Sequence, residues 1–431
     1  MLKKLDYYIS YSPEDRQGAT AVLAEVVSKD EKNLDWCFAI LRAAGENGQK
    51  IMRLAHRYIY DLNDAIKVDG NLDKRQKLLE TLHNHIKAQI NLFDNIEFSY
   101  DFAVLNEKLG EIYQFLGKLD QALEFYNLEE DLFNELVESN PSNESLKHGL
   151  AISYSKLGEI YQSLGKFDQA LEFYHESEIQ FKELCKSNTK KEEVRNGLAK
   201  IYERLGSIYQ SKGNLNQALK YYILRNDFAR ELISDNPYNE KLKFGLAISN
   251  RFLGSIYQSQ GNFHQALQYY SKYNGLMKEL IVNNPQNEEI KKNHAISYEN
   301  LGSIYQSQDN FDQALQYYTK FNTLMKEIYI NNQQSEEIKN ILAVSYEALG
   351  SIYQSQDNFD QAMQYFMEDC KLMEEIFDNN PQNEMLKSGL AISYEKLGEI
   401  YQSLGKMDMA LEFYKKYNSL IKRIPRRSAS G

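Results

Sequence analysis

Tryptophan, cysteine and proline are all scarce in this chain of 431 residues, which holds one Trp, three Cys and six Pro. The cysteines, Cys37, Cys185 and Cys370, are odd in number, far apart and without a CxxC pair. That excludes a disulfide framework and a zinc knuckle, and it suits a reducing compartment. No apolar run approaches the roughly 18–20 residues of a membrane span. The first residues, Met1-Leu2-Lys3-Lys4-Leu5-Asp6, have no apolar core of a secretory signal. A cytoplasmic location is therefore expected. Basic residues are also in the minority, 50 against 61 acidic, for a net charge of −11. Neutralising phosphates needs clustered Lys and Arg, so nucleic acid and anionic membrane are not expected partners. What the chain has in plenty is tyrosine, 32 residues, alongside 22 glycines. With 42% hydrophobic and 26% charged residues it has ample material for a core, which excludes global disorder.

The tyrosines and glycines recur at a fixed period, and such repeats decide architecture before any local signal does. Leu-Gly pairs at Leu109-Gly110, Leu157-Gly158, Leu205-Gly206, Leu253-Gly254, Leu301-Gly302, Leu349-Gly350 and Leu397-Gly398 are spaced by 48 residues without an insertion. Each Gly is followed three residues later by Tyr-Gln, from Tyr113-Gln114 to Tyr401-Gln402. An Ala comes nine residues after that Tyr, and an aromatic four residues further on, as in Ala170 and Tyr174.

Each unit reads as two helices. Asn143 is placed to cap a first helix whose Leu146, Leu150, Tyr154, Leu157 and Tyr161 recur every three or four residues along one face. Gly165-Lys166 breaks it, glycine supplying the backbone freedom of a tight turn. Asp168 then suits the positive end of a second helix, with Ala170, Phe173, Tyr174 and Leu184 on its apolar side. That helix ends near Asn188, where other units read Asn140-Pro141, Asn236-Pro237, Asn284-Pro285 and Asn380-Pro381. Asparagine tolerates the left-handed turn that often closes a helix, and proline discourages helix before it. Helices of about 20 residues would be about 30 Å long. A single hairpin cannot bury its apolar faces, but stacked copies can. The predicted fold is all-α, a right-handed αα-solenoid (superhelix) of stacked antiparallel helical hairpins with a concave and a convex face.

The motif Tyr154-x2-Leu157-Gly158-x2-Tyr161-x8-Ala170-x3-Tyr174 resembles the tetratricopeptide repeat signature, with Tyr in the usual Trp place. The resemblance recurs over residues 101–421. It departs from the family in period, 48 residues here against about 34, and in a closing Pro displaced outward. The extra residues are expected to lengthen the helices at their open ends. The elongated form is similar to repeats of bacterial signalling and defence proteins, where an effector or ATPase domain is often attached. No such domain is evident here.

Four segments are expected: an N-terminal helical segment over 1–49, a degenerate capping hairpin over 50–98, seven repeats over 99–421, and a flexible basic tail over 422–431. The capping hairpin rests on Asp69-Gly70-Asn71-Leu72-Asp73-Lys74, which parallels Leu116-Gly117-Lys118-Leu119-Asp120-Gln121, and on Leu78, Leu82, Ile86 and Ile90 at helical spacing. Ser12-Pro13-Glu14-Asp15 is a helix start. The segment around it is similar to the opening of Toll/interleukin-receptor domains, yet the strands such a domain needs do not follow. No capping helix follows the seventh hairpin, so self-association through an open C-terminal stack is one possible arrangement.

No catalytic constellation emerges. Gly45-Glu46-Asn47-Gly48-Gln49-Lys50 lacks the GxxxxGK[ST] order that converges amides and Lys on a phosphate. His83 and His85 are two apart, which on a helix points them away from each other. Cys185 and Cys370 are read as small core residues. No enzyme activity, cofactor or metal is expected.

The first-helix polar stripe is the candidate site. Positions spaced i, i+4, i+7 give the trios Glu107/Glu111/Gln114, Ser155/Glu159/Gln162, Glu203/Ser207/Gln210, Arg251/Ser255/Gln258, Glu299/Ser303/Gln306, Glu347/Ser351/Gln354 and Glu395/Glu399/Gln402. Beside them one register varies: Lys108, Lys156, Arg204, Phe252, Asn300, Ala348 and Lys396. The family resemblance places this face along the concave groove that holds a peptide or partner helix. It also argues against a C-terminal carboxylate as ligand, because the clamp for that group needs Asn where this chain has Glu or Ser. Phe252 is a candidate hot spot if it is not packed. The alternative is an ordinary solvated face, copied with the repeat. Residues 1–100 are nearly neutral and four basic residues follow position 421, so the repeats hold more than the whole negative excess. A basic or polar protein partner would be steered to them. The expected function is a non-catalytic protein- or peptide-binding scaffold. The alternative is a sensor or regulatory subunit whose solenoid responds to a ligand and controls a partner effector enzyme.

Overall fold

A computed structural model describes residues 72–87, 96–187 and 192–421. The expected segments 1–49 and 422–431, most of 50–98, the phosphate-loop-like stretch and Asn188 lie outside the described residues. The chain divides into two compact units, at Lys212 and Gly213. The first contains α1 (Leu72–Lys87), α2 (Ile96–Phe115), α3 (Leu119–Ser139), α4 (Glu144–Ser163), α5 (Phe167–Ser187) and α6 (Glu192–Ser211). The second contains α7 (Leu215–Asp235), α8 (Glu240–Ser259), α9 (Phe263–Asn283), α10 (Glu288–Ser307), α11 (Phe311–Asn331), α12 (Glu336–Ser355), α13 (Phe359–Asn379), α14 (Glu384–Ser403) and α15 (Met407–Ile421). Within each unit every helix packs on the one before it and the one after it. Among the described residues there is no strand. The fold is an all-α repeat solenoid.

Local chemistry sets the helix ends. Asn143, Asn239, Asn287, Ser335 and Asn383 cap first helices, each side chain accepting from an amide of the first turn, as Asn143 does from Leu146 at 3.3 Å. Asn214, Asn262, Asn310 and Asn358 cap second helices in the same way. Lys118 stands at that place before α3 and makes no side-chain cap.

The left-handed residue of the repeat sits in the turn between its two helices. It is Gly117, Gly165, Gly213, Gly261 and Gly405, at φ of 70–74°, but Asp309 (φ 57°) and Asp357 (φ 58°) in two repeats. The asparagine closing the second helix is different from expectation. Asn140 has φ −139° and ψ 66° and Asn332 φ −142° and ψ 59°, at negative φ and so not left-handed. The next residue is Pro141 in one case and Gln333 in the other, so proline is not what sets this geometry.

The core is one contact copied along the chain. The ring of Tyr174 on α5 lies flat against Gly158 on α4, so that a Cβ there would stand 2.7 Å from a ring carbon. Gly110 meets Tyr126, Gly254 Tyr270, Gly302 Tyr318, Gly350 Phe366 and Gly398 Tyr414 in the same way. A second aromatic pair braces the hairpins within each unit: Tyr161 stacks on Phe173 at 5.3 Å, Tyr257 on Tyr269 at 5.5 Å and Tyr353 on Tyr365 at 5.6 Å. The tyrosine excess is therefore packing, each fully buried ring contributing about 2–3 kcal/mol.

Two backbone predictions follow from these contacts. Gly158→Ala adds helix propensity of at most ~1 kcal/mol, but it drives a methyl into the Tyr174 ring. The clash should win, with a net loss of about 2 kcal/mol in urea unfolding. Asp309→Gly relieves a left-handed aspartate and should raise the unfolding midpoint, by about 0.5 kcal/mol once the extra freedom of the unfolded chain is counted.

Candidate interface on the first helices

The glutamines of the stripe have a structural partner. In five repeats the tyrosine that packs on glycine donates its hydroxyl to the Gln Oε1 twelve residues earlier. Tyr126 reaches Gln114 at 3.0 Å, Tyr174 Gln162 at 3.0 Å, Tyr270 Gln258 at 2.9 Å, Tyr318 Gln306 at 2.8 Å and Tyr414 Gln402 at 3.1 Å. Phe366 has no hydroxyl to donate, and the Nε2 of Gln354 donates to Glu399 of the next repeat at 3.4 Å. The invariant Gln thus satisfies a buried phenol, which would otherwise lose about 1–3 kcal/mol.

The charged positions join neighbouring repeats. In the first unit Lys156 reaches back to Glu111 at 3.1 Å, and Lys108 lies 3.6 Å from the same carboxylate. Glu159 is bound by Arg204 at 3.0 Å and Lys200 at 3.3 Å. Burial works against the charge on Glu111, but Lys108 and Lys156 outweigh it and hold its carboxyl below the ordinary range. Glu107 behaves oppositely: burial raises it, and Glu111 adds to the rise. Glu203 and Gln210 are half-buried on α6. Ser155, expected on the open face, is buried.

In the second unit Phe252 is packed. Its ring stacks on Tyr222 at 4.9 Å, with the Arg225 and Arg251 guanidinium carbons 5.2 and 5.4 Å from its centroid. Gln258 donates to Ser303 at 2.8 Å, again from one repeat to the next. Asn300 donates to Glu299, whose carboxyl is raised by burial. Glu347 is raised by burial with Lys396 opposing, and Lys396 also lies 3.3 Å from Glu399. Glu395 and Ala348 are half-buried on the same face.

One register on the second helices escaped sequence reading. It holds Glu129, Ser177, Arg225, Tyr273, Phe321 and Asp369, and all six are buried. Glu129 lies beside Glu107, Glu111, Lys156 and Lys108; burial first, then Glu107, push its carboxyl well up, and its Oε2 has no hydrogen-bond partner. The signal was available: one position of the repeat that carries an acid, a serine, a base and then aromatics as the copies succeed one another.

Other candidates are structural. His83 is buried, stacks on Phe102 at 5.1 Å and meets the edge of Phe125. Cys370 is buried and Cys185 half-buried. Among the described residues no group of three or more His, Cys, Asp or Glu is placed to hold a metal ion, and no helix is long and apolar enough to cross a membrane.

Profiles of the tetratricopeptide repeat match residues 104–128, 153–177, 199–224, 251–272, 297–325, 342–382 and 391–422, one match per 48-residue copy. The chain is a tetratricopeptide-repeat protein. Its repeats are those of a protein-interaction scaffold. No curated protein matches the sequence. Among solved structures, it is similar to a Signal Transduction ATPase with Numerous Domains protein with a tetratricopeptide repeat sensor from Pyrococcus horikoshii. That match has 16% identity and a TM-score of 0.52, covering 95% of this chain and 53% of the other. The chain thus spans about half of that protein. The apo quorum sensor NprR from B. thuringiensis matches at 14% identity and TM-score 0.48, over 97% and 98% of the two chains. BtubC from P. vanneervenii matches at 18% and 0.36, over 73% and 97%.

The buried register of this tetratricopeptide-repeat array also sets a pH dependence. Burial pushes the Asp369 carboxyl up to about 7, a hydrogen bond with Ser393 opposes it, and Glu347 adds to the rise. Its ordinary value is 3.8, so below that both folded and unfolded chains are protonated and no cost arises. As pH rises towards 7 the unfolded chain releases the proton first, and stability falls until the folded carboxyl also ionises. Asp369→Asn should therefore unfold at a higher urea midpoint than the parent at pH 8, with the difference vanishing near pH 4.

Proposed function

We propose that the protein is a non-catalytic scaffold that binds a protein or peptide along the exposed face of its first helices. One observation carries this. In the first unit the stripe charges neutralise one another, Glu111 with Lys156 and Glu159 with Arg204. In α12 and α14, Glu347 and Glu395 stand one repeat apart in the same register without an ion pair among the described residues. Such a pair suits a basic or polar partner segment, with Arg251, Asn300 and Gln402 as neighbouring contacts. Side chains that bridge repeats, such as Gln258 and Gln354, stiffen the face rather than select the partner. Nucleic acid and membrane are not proposed as partners.

The test is affinity for the partner that co-purifies from the native cell. Glu347→Lys with Glu395→Lys should weaken it about tenfold or more, roughly 1.4 kcal/mol, and the loss should shrink at high salt. An unchanged affinity sinks the assignment of this face. A sensor subunit is the alternative, the role that tetratricopeptide repeats have in the P. horikoshii ATPase. Solution scattering separates the two, because a sensor changes its radius of gyration with ligand and a passive scaffold does not.

A further inference from the structure

Each seam between repeats contains one matched pair. The second helix supplies Phe133, Phe181, Ala229, Met277, Met325 or Met373, and the next first helix supplies Gly149, Gly197, Gly245, Asn293, Ile341 or Gly389. A Cβ at Gly149 or Gly197 would strike the ring of Phe133 or Phe181, and one at Gly389 would strike Met373. At Ala229–Gly245, between α7 and α8, both partners are small. A Cβ at Gly245 meets nothing within 4 Å. The surroundings are correspondingly open: Leu246 is half-buried, where its counterparts Leu150 and Leu198 are 3% and 1% exposed. The space missing from this seam is that of the aromatic ring found in the first two.

Two buried amides on these helices each leave one atom unpaired. Asn226, three residues before Ala229 on α7, is 2% exposed, and its Nδ2 has no acceptor. Its counterparts Asn274 and Asn322 donate to Ser297 at 2.6 Å and Ser345 at 2.8 Å. The matching Ser249 is taken by Arg225, whose Nη1 also donates to the Gly245 carbonyl at 3.1 Å. Asn250 is 3% exposed; its Nδ2 turns back to the Leu246 carbonyl at 2.8 Å, and its Oδ1 has no donor. Leaving such groups buried and unpaired is unfavourable, and a ligand that satisfies them recovers that cost. An unpaired donor therefore stands one helical turn from Ala229, and an unpaired acceptor five residues from Gly245 on the facing helix.

We propose that the Ala229–Gly245 gap is a binding site for a phenolic side chain, a tyrosine of a protein partner. Its ring takes the place that Phe133 and Phe181 occupy in the first unit. Its hydroxyl accepts from Asn226 Nδ2 and donates to Asn250 Oδ1. The Arg225 guanidinium, held by Gly245, Ser249 and the face of Phe252, forms a fixed cationic edge to the ring. This site uses none of Glu347, Glu395 or the glutamines of the first-helix stripe.

The probe is p-cresol, with toluene as its hydroxyl-free control, each titrated into the full chain and followed by saturation-transfer NMR. p-Cresol should bind at least about fivefold tighter than toluene, the equivalent of one net hydrogen bond. Ala229→Phe should reduce both affinities about tenfold or more and raise the urea midpoint, because the chain then fills its own gap. Ala229→Met, which installs the residue found at this register in three other repeats, reads the same loss if the Phe variant fails to fold. Glu347→Lys with Glu395→Lys should leave p-cresol binding unchanged, which separates this site from the first-helix face. Equal affinity for toluene and p-cresol, or p-cresol binding that survives filling of residue 229, overturns the proposal.

Discussion

The approach of a glycine backbone to an aromatic ring is the contact on which the rest of this fold depends. With no Cβ at Gly158, the Tyr174 ring closes to a distance that no other residue would permit. That draws the two helices of the repeat together and buries the ring completely. A buried phenol then needs an acceptor, and Gln162 is the one within reach. Glycine, tyrosine and glutamine are thus one unit, and their shared period has a single cause. Packing at this density explains why no copy admits an insertion, since one residue would rotate every following side chain off its face.

That dependence also explains what sequence reading could and could not resolve. The helices, the glycine turn, the asparagine caps and the tyrosine core were legible, because each rests on spacing within one helix or on a local backbone requirement. The meaning of the glutamine stripe was not. Its partner lies twelve residues away on another helix, and a row of exposed amides looks the same whether it awaits a ligand or serves a hydroxyl beneath it. Gln258 shows both roles at once, its Oε1 accepting from Tyr270 and its Nε2 donating to Ser303 of the next repeat. Phe252 illustrates the same limit from the other side. A lone aromatic in a polar register reads as a hot spot until Tyr222 is found stacked on it. The asparagine at the second-helix end was misread for a simpler reason. Residues that tolerate the left-handed region do not always occupy it, and Asn332 keeps the same negative-φ geometry as Asn140 even without a following proline.

The charged positions show how neighbouring repeats recognise each other. Glu111 with Lys156 and Glu159 with Arg204 are half-exposed pairs, and exposed ion pairs are worth at most about 1 kcal/mol. They do not hold the array together. They do tie one first helix to the next, because the acidic position of one repeat faces the basic position of its neighbour. Candidates for binding and ties between repeats therefore share one face, and sequence alone cannot separate the two uses.

One buried register carries a different residue in each of six copies, against the usual relation between burial and uniformity. Glu129, Ser177, Arg225, Tyr273, Phe321 and Asp369 occupy equivalent places and impose different chemistry on otherwise similar seams. Phe321 and Tyr273 seal theirs, Tyr273 donating to the Asn293 carbonyl at 2.8 Å. Glu129 and Asp369 leave carboxyls that burial makes hard to ionise. Arg225 takes the serine that an asparagine bonds in later repeats. Stability in a solenoid is a sum over such nearest-neighbour seams. An array built from near-identical outer faces therefore has unequal joints, and the weaker ones are fixed where polar groups replace aromatic rings. Local opening should concentrate there, since a seam with unpaired amides and a missing ring has the least to lose on separating.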